Sequence, residues 1–420
     1  MHPRTMLTAL VGLTVSGLLC AQPRPEWHAF HGPGRTNRSS ETGLLKQWPE
    51  GGPRLLWTTS GLGKGYSSVT IADGRIYTAG MRDKETFVIA LDLDGREKWR
   101  TRNGASWETR MRHAVGYAGS RATPTYDDGW LYHASERGRL TALDARTGRE
   151  VWHVDLLKTF DAKVASYGLT ESVLIDGDRL VVCPGGKKGY IVCLEKKTGK
   201  TVWANTEITD KLGYASVVIA PFGGIRQYLN MTGAAFFAVD AATGKLLWRV
   251  PFRNFRGNSA TDPIFHNGHV FASTGYGKGS MLVRLEAADG RIRPTTVWSN
   301  KLMDNHHGGV VLLDGYLYGA GDRSKGWFCL DFMTGKQIWN APGKGSLTCA
   351  DGMLYCLDER GKMTLVEASP KAYRAVSSFQ VPSGGAGRHW AHPVVCDGRL
   401  YLRHADKLFA YDIRGKQPVQ

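Results

Sequence analysis

Two histidine-rich stretches hold the side chains best suited to chemistry: Asn305-His306-His307 and Arg388-His389-Trp390-Ala391-His392. Imidazole changes charge near neutral pH and, when neutral, binds transition metals. Grouped with them are two acids, Glu171 and Asp262, the cations Arg121, Lys344 and Arg388, and the polar or aromatic residues Tyr66, Tyr167, Tyr214 and Asn258. Three chemistries are open to such a set. Neutral histidines with Glu171 or Asp262 could hold a metal, although no fixed-spacing metal motif backs that reading. Arg121, Lys344 and Arg388 could hold a small anion or the acidic tail of a protein. All of these residues could instead be hydrogen-bonded and water-facing, with no ligand. General acid–base catalysis needs a close, oriented pair, and none is legible here.

The candidates run from position 66 to position 392, so only a fold that gathers distant loops can assemble them. The sequence carries such a fold in two alternating signatures. The first is a tight turn between apolar runs, as in Ala72-Asp73-Gly74-Arg75-Ile76-Tyr77 and Asp314-Gly315-Tyr316-Leu317-Tyr318; eight turns occur, centred on Gly74, Gly129, Gly177, Gly224, Gly268, Gly315, Gly352 and Gly398. Asp-Gly and Asn-Gly favour two-residue hairpins, because both turn residues need positive φ. The second signature is a small residue, an apolar residue and an acid, then Thr-Gly, then Trp four residues after the Gly. Ala142-Leu143-Asp144 leads to Thr147-Gly148 and Trp152, and the same order ends at Trp203, Trp248 and Trp339, with looser copies ending at Trp99 and Trp298. The acid can accept turn N–H bonds, the Gly takes the left-handed position, and Trp is large enough to pack between sheets.

Turn glycines recur every 37 to 55 residues, the period of a propeller blade. The expected fold is all-β: an eight-bladed β-propeller of four-stranded antiparallel blades. The seventh unit is degenerate, with Phe379 where Trp is expected, and the eighth reaches only its third strand at Ala410-Tyr411-Asp412. Arg54-Leu55-Leu56-Trp57 is the expected fourth strand of that blade, closing the ring and removing the open edges. The domain reading is a leader at residues 1–21, an N-terminal extension at 22–50 and one propeller at 51–420.

In such a fold the strand before each turn is innermost. Six residues before the turn glycine stand Ser68, Thr123, Glu171, Asp262, Gly309, Ser346 and His392, with Val218 in strict register in the fourth unit, or Ser216 if two residues are inserted near Pro221. This small-or-polar ring is expected to face a wet channel. The preceding loops, which converge at one mouth of it, carry Tyr66, Arg121, Tyr167, Tyr214, Asn258, His306, His307, Lys344, Arg388, His389 and Trp390.

These repeats resemble those of the quinoprotein-alcohol-dehydrogenase-like (PQQ-like) propeller superfamily, which includes the BamB-like branch and many exported propellers. Trp27-His28-Ala29-Phe30-His31-Gly32-Pro33-Gly34-Arg35, with Glu41-Thr42-Gly43-Leu44-Leu45 and Trp48-Pro49, is similar to the start of the exported group. In the superfamily's enzymes, the resemblance implies a quinone in the central channel between a Trp and a vicinal disulfide, beside a calcium or lanthanide held by Glu, Asn and Asp. This sequence has no adjacent cysteines and offers no metal trio by motif. The resemblance therefore points to a cofactor-free binding or scaffold propeller of the cell envelope, engaging a protein or an anionic polymer. The other reading is a periplasmic oxidoreductase with PQQ or a metal in the channel.

Composition agrees with both. Arg4 followed by the apolar run Met6 to Leu19 reads as a secretory signal cut after Ala21; Cys20 lacks the small preceding residue a lipid anchor needs. No later run reaches the length of a spanning helix, so the mature chain is expected in a periplasmic or extracellular space. The net charge is +16, a field that attracts anions generally, yet no basic block or aromatic-basic motif signals specific nucleic-acid binding. A monomer is expected. Cys193 and Cys329 stand where other repeats have Ala, and are expected to be small, buried and inert.

Overall fold

The structure is a computed structural model that describes residues 26–108 and 115–415, so the leader read at 1–21 lies outside the described residues. Eight antiparallel blades of four strands each surround one axis. The first runs outward as Thr70–Ala72, Arg75–Arg82, Glu85–Asp92 and Glu97–Ala105. Its inner hairpin turns at Asp73 and Gly74, with φ of 49° and 67°, the positive pair that the turn requires. The eighth blade closes as expected: Arg54–Thr59 pairs antiparallel with Lys407–Asp412, and Trp57 lies opposite Ala410.

The Thr-Gly-Trp signature joins blade to blade. Trp152, on the outer strand of blade two, donates its indole N–H to Lys196 O of blade three at 3.0 Å, and a Cβ on Gly199 would sit 2.8 Å from the indole. The same contact recurs from Trp99 to Ala145 O at 3.1 Å, Trp203 to Ala241 O at 3.1 Å, Trp298 to Phe332 O at 2.9 Å and Trp57 to Leu93 O at 3.0 Å. Glycine is needed there because the ring lies flat on the turn. The acid of the signature holds that turn in shape, as when Asp144 Oδ1 accepts from Thr147 N and Thr147 Oγ1 at 2.7 Å each.

The degenerate seventh blade keeps this geometry with different residues. Phe379, on the outer strand Ala375–Gln380, packs edge-on to Trp48 and closes on Gly52 of the chain entering blade eight. In seven blades the outer strand shifts register by one residue just before the Trp, leaving Lys98, Val151, Val202, Leu247, Val297, Ile338 and Leu56 out of the ladder; in the seventh the shift leaves out Val376, so Ser377 takes the Trp register and Phe379 stands two residues beyond it.

The six described cysteines are buried, with Cys193 and Cys329 fully enclosed. No described helix is long and apolar enough to cross a membrane.

Replacing one of the interblade indoles tests this joint. Trp203→Ala removes a side chain that is 9 % exposed together with its hydrogen bond. It is expected to cost about 3–5 kcal/mol, measured by urea unfolding followed by circular dichroism.

Candidate functional site

The innermost strands are tied to one another by a relay that runs around the axis. Ser68 N donates to Thr123 Oγ1 at 3.0 Å, Thr123 N to Ser172 Oγ at 2.9 Å, Ser172 N to Ser216 Oγ at 3.2 Å, and Ser216 N to Asp262 Oδ1 at 2.6 Å. A small polar residue is needed because its oxygen must reach the neighbouring blade's backbone. The relay settles the fourth-unit register on Ser216. It also corrects the third unit, where Ser172, and not Glu171, holds the ring position. There the hairpin pairs Asp176 with Arg179, so Gly177 is the first turn residue instead of the second, and counting back from it falls one residue short. Glu171 turns out of the channel wall and accepts from Cys183 N at 2.7 Å and Val217 N at 3.3 Å.

The channel is not a wet bore, because the chain's own N-terminal segment fills it. Trp27 bridges to Ile71 of blade one, His28 O accepts from Tyr126 N of blade two, and Arg35 Nη2 donates to Ser172 O and Val173 O of blade three at 2.7 and 2.6 Å. Arg38–Ser39 then pairs in parallel with Gly345–Ala350 of blade seven. Gly309, the one ring member without a side chain, makes room for it: a Cβ there would lie 3.0 Å from Asn37 Nδ2 and 3.2 Å from His31 Nε2.

This plug takes up the ionisable groups of the ring. His392 Nε2 donates to His307 O at 2.7 Å, which leaves Nδ1 to accept from His31 Nε2 at 2.9 Å. His31 Nδ1 in turn meets Asp262 Oδ2 at 3.3 Å, a contact that needs a proton between them. Burial, with His31 beside it, holds His392 well below the ordinary imidazole range. Burial pushes Glu171 up to about 8, against the opposing pull of its backbone N–H partners and Arg35.

Above the plug, at the loop mouth, lies a cup of about 330 Å³. Nine of the fourteen candidates line it: Tyr66, Arg121, Tyr167, Tyr214, Asn258, His306, His307, Trp390 and His392. Phe30 of the plug stacks on His31, with ring centroids 3.8 Å apart, and forms the floor. The walls form a nearly continuous aromatic collar. Tyr214 meets Tyr167 at 5.9 Å, Tyr167 meets Trp107 at 5.8 Å, Tyr66 meets Trp390 at 5.3 Å, Trp390 meets His307 at 4.6 Å, and His306 meets Tyr276 at 4.7 Å. Arg121 bridges Trp107 and Tyr66, its guanidinium 5.0 and 5.4 Å from their ring centres, within cation–π range.

The other five candidates lie elsewhere. Glu171 and Asp262 are below the cup. Lys344 is ion-paired to Asp322 at 2.6 Å and Glu359 at 3.4 Å. Arg388 is exposed, and His389 is turned away to stack on His404 at 3.7 Å. Sequence reasoning missed Phe30, Trp107, Tyr117, Thr170, Ala260 and Tyr276. Of these, Tyr276 stands in a turn between second and third strands, which the register argument did not cover.

Electrostatically the cup is quiet apart from one group. Burial and His307 lower His306 to about 3, and burial pushes Tyr66 and Tyr214 up to about 12, so the imidazole is neutral and the phenols keep their protons. Glu359, despite its burial, is held at about 2 by His307 and Lys344. Arg121 is the one permanent cation among the lining residues, and makes no ion pair among the described residues. Glu136, the nearest acid acting on it, spends its oxygens on Thr86, Ser106 and the Arg121 backbone N–H. Among the described residues no three His, Cys, Asp or Glu side chains form a metal-holding group.

Comparison with known proteins agrees with the fold. A family model described as "Outer membrane protein assembly factor BamB" matches residues 89–341. The chain is similar to the quinohemoprotein alcohol dehydrogenase ADH IIB of Pseudomonas putida, 31 % identical over 155 residues, which is 35 % of this chain and 22 % of that one. It is similar to the outer membrane protein assembly factor BamB of Nitrosomonas eutropha, 25 % identical over 222 residues, which is 44 % of this chain and 54 % of that one. Among solved structures, BamB from Moraxella catarrhalis superposes with a TM-score of 0.59 at 16 % identity, covering 86 % of this chain and 98 % of that one. Quinohemoprotein alcohol dehydrogenase from Comamonas testosteroni gives a TM-score of 0.64 at 14 % identity, covering 94 % and 82 %. At these identities the two structures speak for the fold alone.

Two measurements test the plug. Arg35→Leu strips Ser172 O and Val173 O of their buried guanidinium donor and is expected to cost about 2–3 kcal/mol, with faster proteolysis between residues 26 and 48 under native conditions. The folded chain keeps a proton on Glu171 up to about 8, whereas its ordinary value is 4.5, so its contribution is present at low pH and is lost as pH rises through the folded value. His306 and His389, lowered to about 3 and about 4, act in the opposite sense and only below about pH 6.5. Between about pH 6.5 and 8, stability should fall by about 2 kcal/mol, and Glu171→Gln should flatten that slope.

Proposed function

The chain belongs to the family described as "Outer membrane protein assembly factor BamB", and from that premise we propose that it is a non-catalytic binding propeller of the cell envelope, engaging a protein or an anionic ligand through the face that bears the cup. One observation carries the reading. The ionisable groups at the axis are committed to the plug, which leaves aromatic walls around a single unmatched cation, Arg121. Such a cup can grip a planar or apolar group from several sides and a negative charge from one, which is recognition chemistry. The histidine–carboxylate contact at its wall, His307 Nε2 to Glu359 Oε1, spans 3.7 Å, and Glu359 is shared with Lys344, a geometry suited to holding the wall in place rather than to moving a proton. Relatives named as outer membrane protein assembly factors support a protein partner in the envelope, and export by the leader read at residues 1–21 belongs to the same proposal.

Relatives named as quinoprotein dehydrogenases raise the other reading, and the residues do not fit a quinone site of the kind that resemblance implies. No cysteine lines the cup. The two acids near the axis do not form a calcium or lanthanide trio: Glu171 accepts from Cys183 N and Val217 N, Asp262 Oδ1 accepts from Ser216 N with Oδ2 facing His31, and no three His, Cys, Asp or Glu side chains among the described residues form a metal-holding group. Phe30 and His31 stand where a cofactor would need depth.

The test uses the fluorescence of Trp107 and Trp390. A small aromatic carboxylate should quench it saturably, its neutral amide should not, and Arg121→Leu should weaken the carboxylate by about tenfold or more. PQQ added with calcium should leave no stoichiometric adduct after gel filtration and no dye-linked alcohol oxidation. Equal quenching by the acid and its amide would sink the anion reading, and a retained quinone would sink the non-catalytic one.

A further inference from the structure

Beside the cup, on the rim carried by blades four to six, a phenyl ring stands out in solvent. Phe255 is 59 % exposed. A single exposed Phe is ordinary, but this one is clamped: Arg256 and Arg323 hold their guanidiniums 5.3 and 5.0 Å from its centre, and Tyr276 meets it edge-on at 5.6 Å. Two more cations flank the clamp. Lys211 Nζ reaches Asn258 Oδ1 at 3.2 Å, and Lys278 Nζ lies 5.0 Å over the ring of Phe252. Tyr276 and Asn258 also line the cup, so the clamp and the cup share a wall.

The four cations are unmatched. Among the described residues none of Lys211, Arg256, Lys278 and Arg323 makes an ion pair, although the chain has many exposed ones. The acids beneath them are already used. Asp322 is bound to Lys344 Nζ at 2.6 Å and to Tyr276 N at 2.9 Å. Asp304 is fully buried and accepts from Gly277 N at 2.7 Å and Arg323 N at 3.0 Å. An aromatic ring pre-held between guanidiniums, with no carboxylate to quench them, has the composition of an interface hot spot that lacks its partner.

We propose that this rim docks an acidic polypeptide segment carrying an aromatic side chain. The carboxylates meet Arg256, Arg323 and the two lysines, and the ring packs on Phe255 and Tyr276 at the lip of the cup. Charge complementarity selects an acidic partner, and a bare polyanion would have no use for the exposed ring. The proposal rests on the reading of the cup face as the binding face and adds the partner's chemistry and the place where it lands.

The test is fluorescence anisotropy on the full chain with three labelled probes: an Asp/Glu peptide of about 12 residues with one central Trp, the same peptide with Ser for Trp, and oligo(dT) of similar length. The Trp peptide should bind with the highest affinity, and should weaken markedly as salt rises from about 0.02 to 0.3 M. Phe255→Ala should weaken it by about tenfold and R256E/R323E by at least as much, while the opposite-face control K197E/K200E should leave it within about twofold. Equal binding of the two peptides, tighter binding of oligo(dT), or indifference to Phe255→Ala and R256E/R323E would each overturn the proposal. Carboxylate quenching in the cup is read separately, so loss of the rim and loss of the cup give different results.

Discussion

In five of the eight blades the outer-strand indole, that of Trp57, Trp99, Trp152, Trp203 or Trp298, lies on the bare turn glycine of the following blade, and that flat contact sets how closely those blades approach. Where a Cβ would come within 2.3 Å of the Trp203 indole, at Gly244, no other residue allows the same spacing. Repeated around the axis, the contact fixes the angular step between sheets and hence the width of the channel. The channel it leaves is narrow enough for one extended segment to touch opposite walls. Residues 26–48 reach blades one, two, three and seven in a single crossing, which a wider ring would not permit.

Threading the axis with the chain itself changes what the ring residues can do. A polar ring around a water-filled bore would be a natural place for ions. Here its carboxylate Asp262 and its imidazole His392 are joined through His31, so the charge of the ring is settled internally and the open end is left to aromatic side chains. Under the proposed function, binding in such a cup would rest on shape and on one guanidinium, a selectivity that survives changes in pH better than one built from titrating histidines. The plug and the cup are thus two sides of one arrangement, since Phe30 and His31 are neighbours in sequence.

Much of the fold was legible because its devices are local. Asp73-Gly74 announces its hairpin within two residues, and Thr147-Gly148 with Trp152 announces a turn and an interblade joint within six. Even the closure by Trp57 could be read, since a fourth strand was missing at one end and a spare one stood at the other. The site was partly legible for the same reason: Tyr66, Arg121, Tyr214 and Trp390 sit at fixed offsets from turns. Glu171 was misplaced because one hairpin puts its glycine first, a choice that alters no residue type. The plug was not legible at all. Arg35 and His31 find their partners more than a hundred residues away, and no periodicity in residues 26–48 marks them as axial. Trp107 and Tyr276 lie in segments that carry no repeat signature, so nothing placed them at the collar.

The one-residue step in every outer strand bears on how the molecule behaves in company. An outer strand is an open edge, with backbone donors and acceptors that a strand from another molecule could meet. Because Val151, Val202, Val297 and Ile338 each stand out of the ladder, partners matched on one side of the step would be out of phase on the other. The apolar side chains displaced there, each 41–43 % exposed, are by-products of seating the indoles rather than a sticky belt. A crowded compartment could hold this protein at high concentration without its eight rims knitting into fibres.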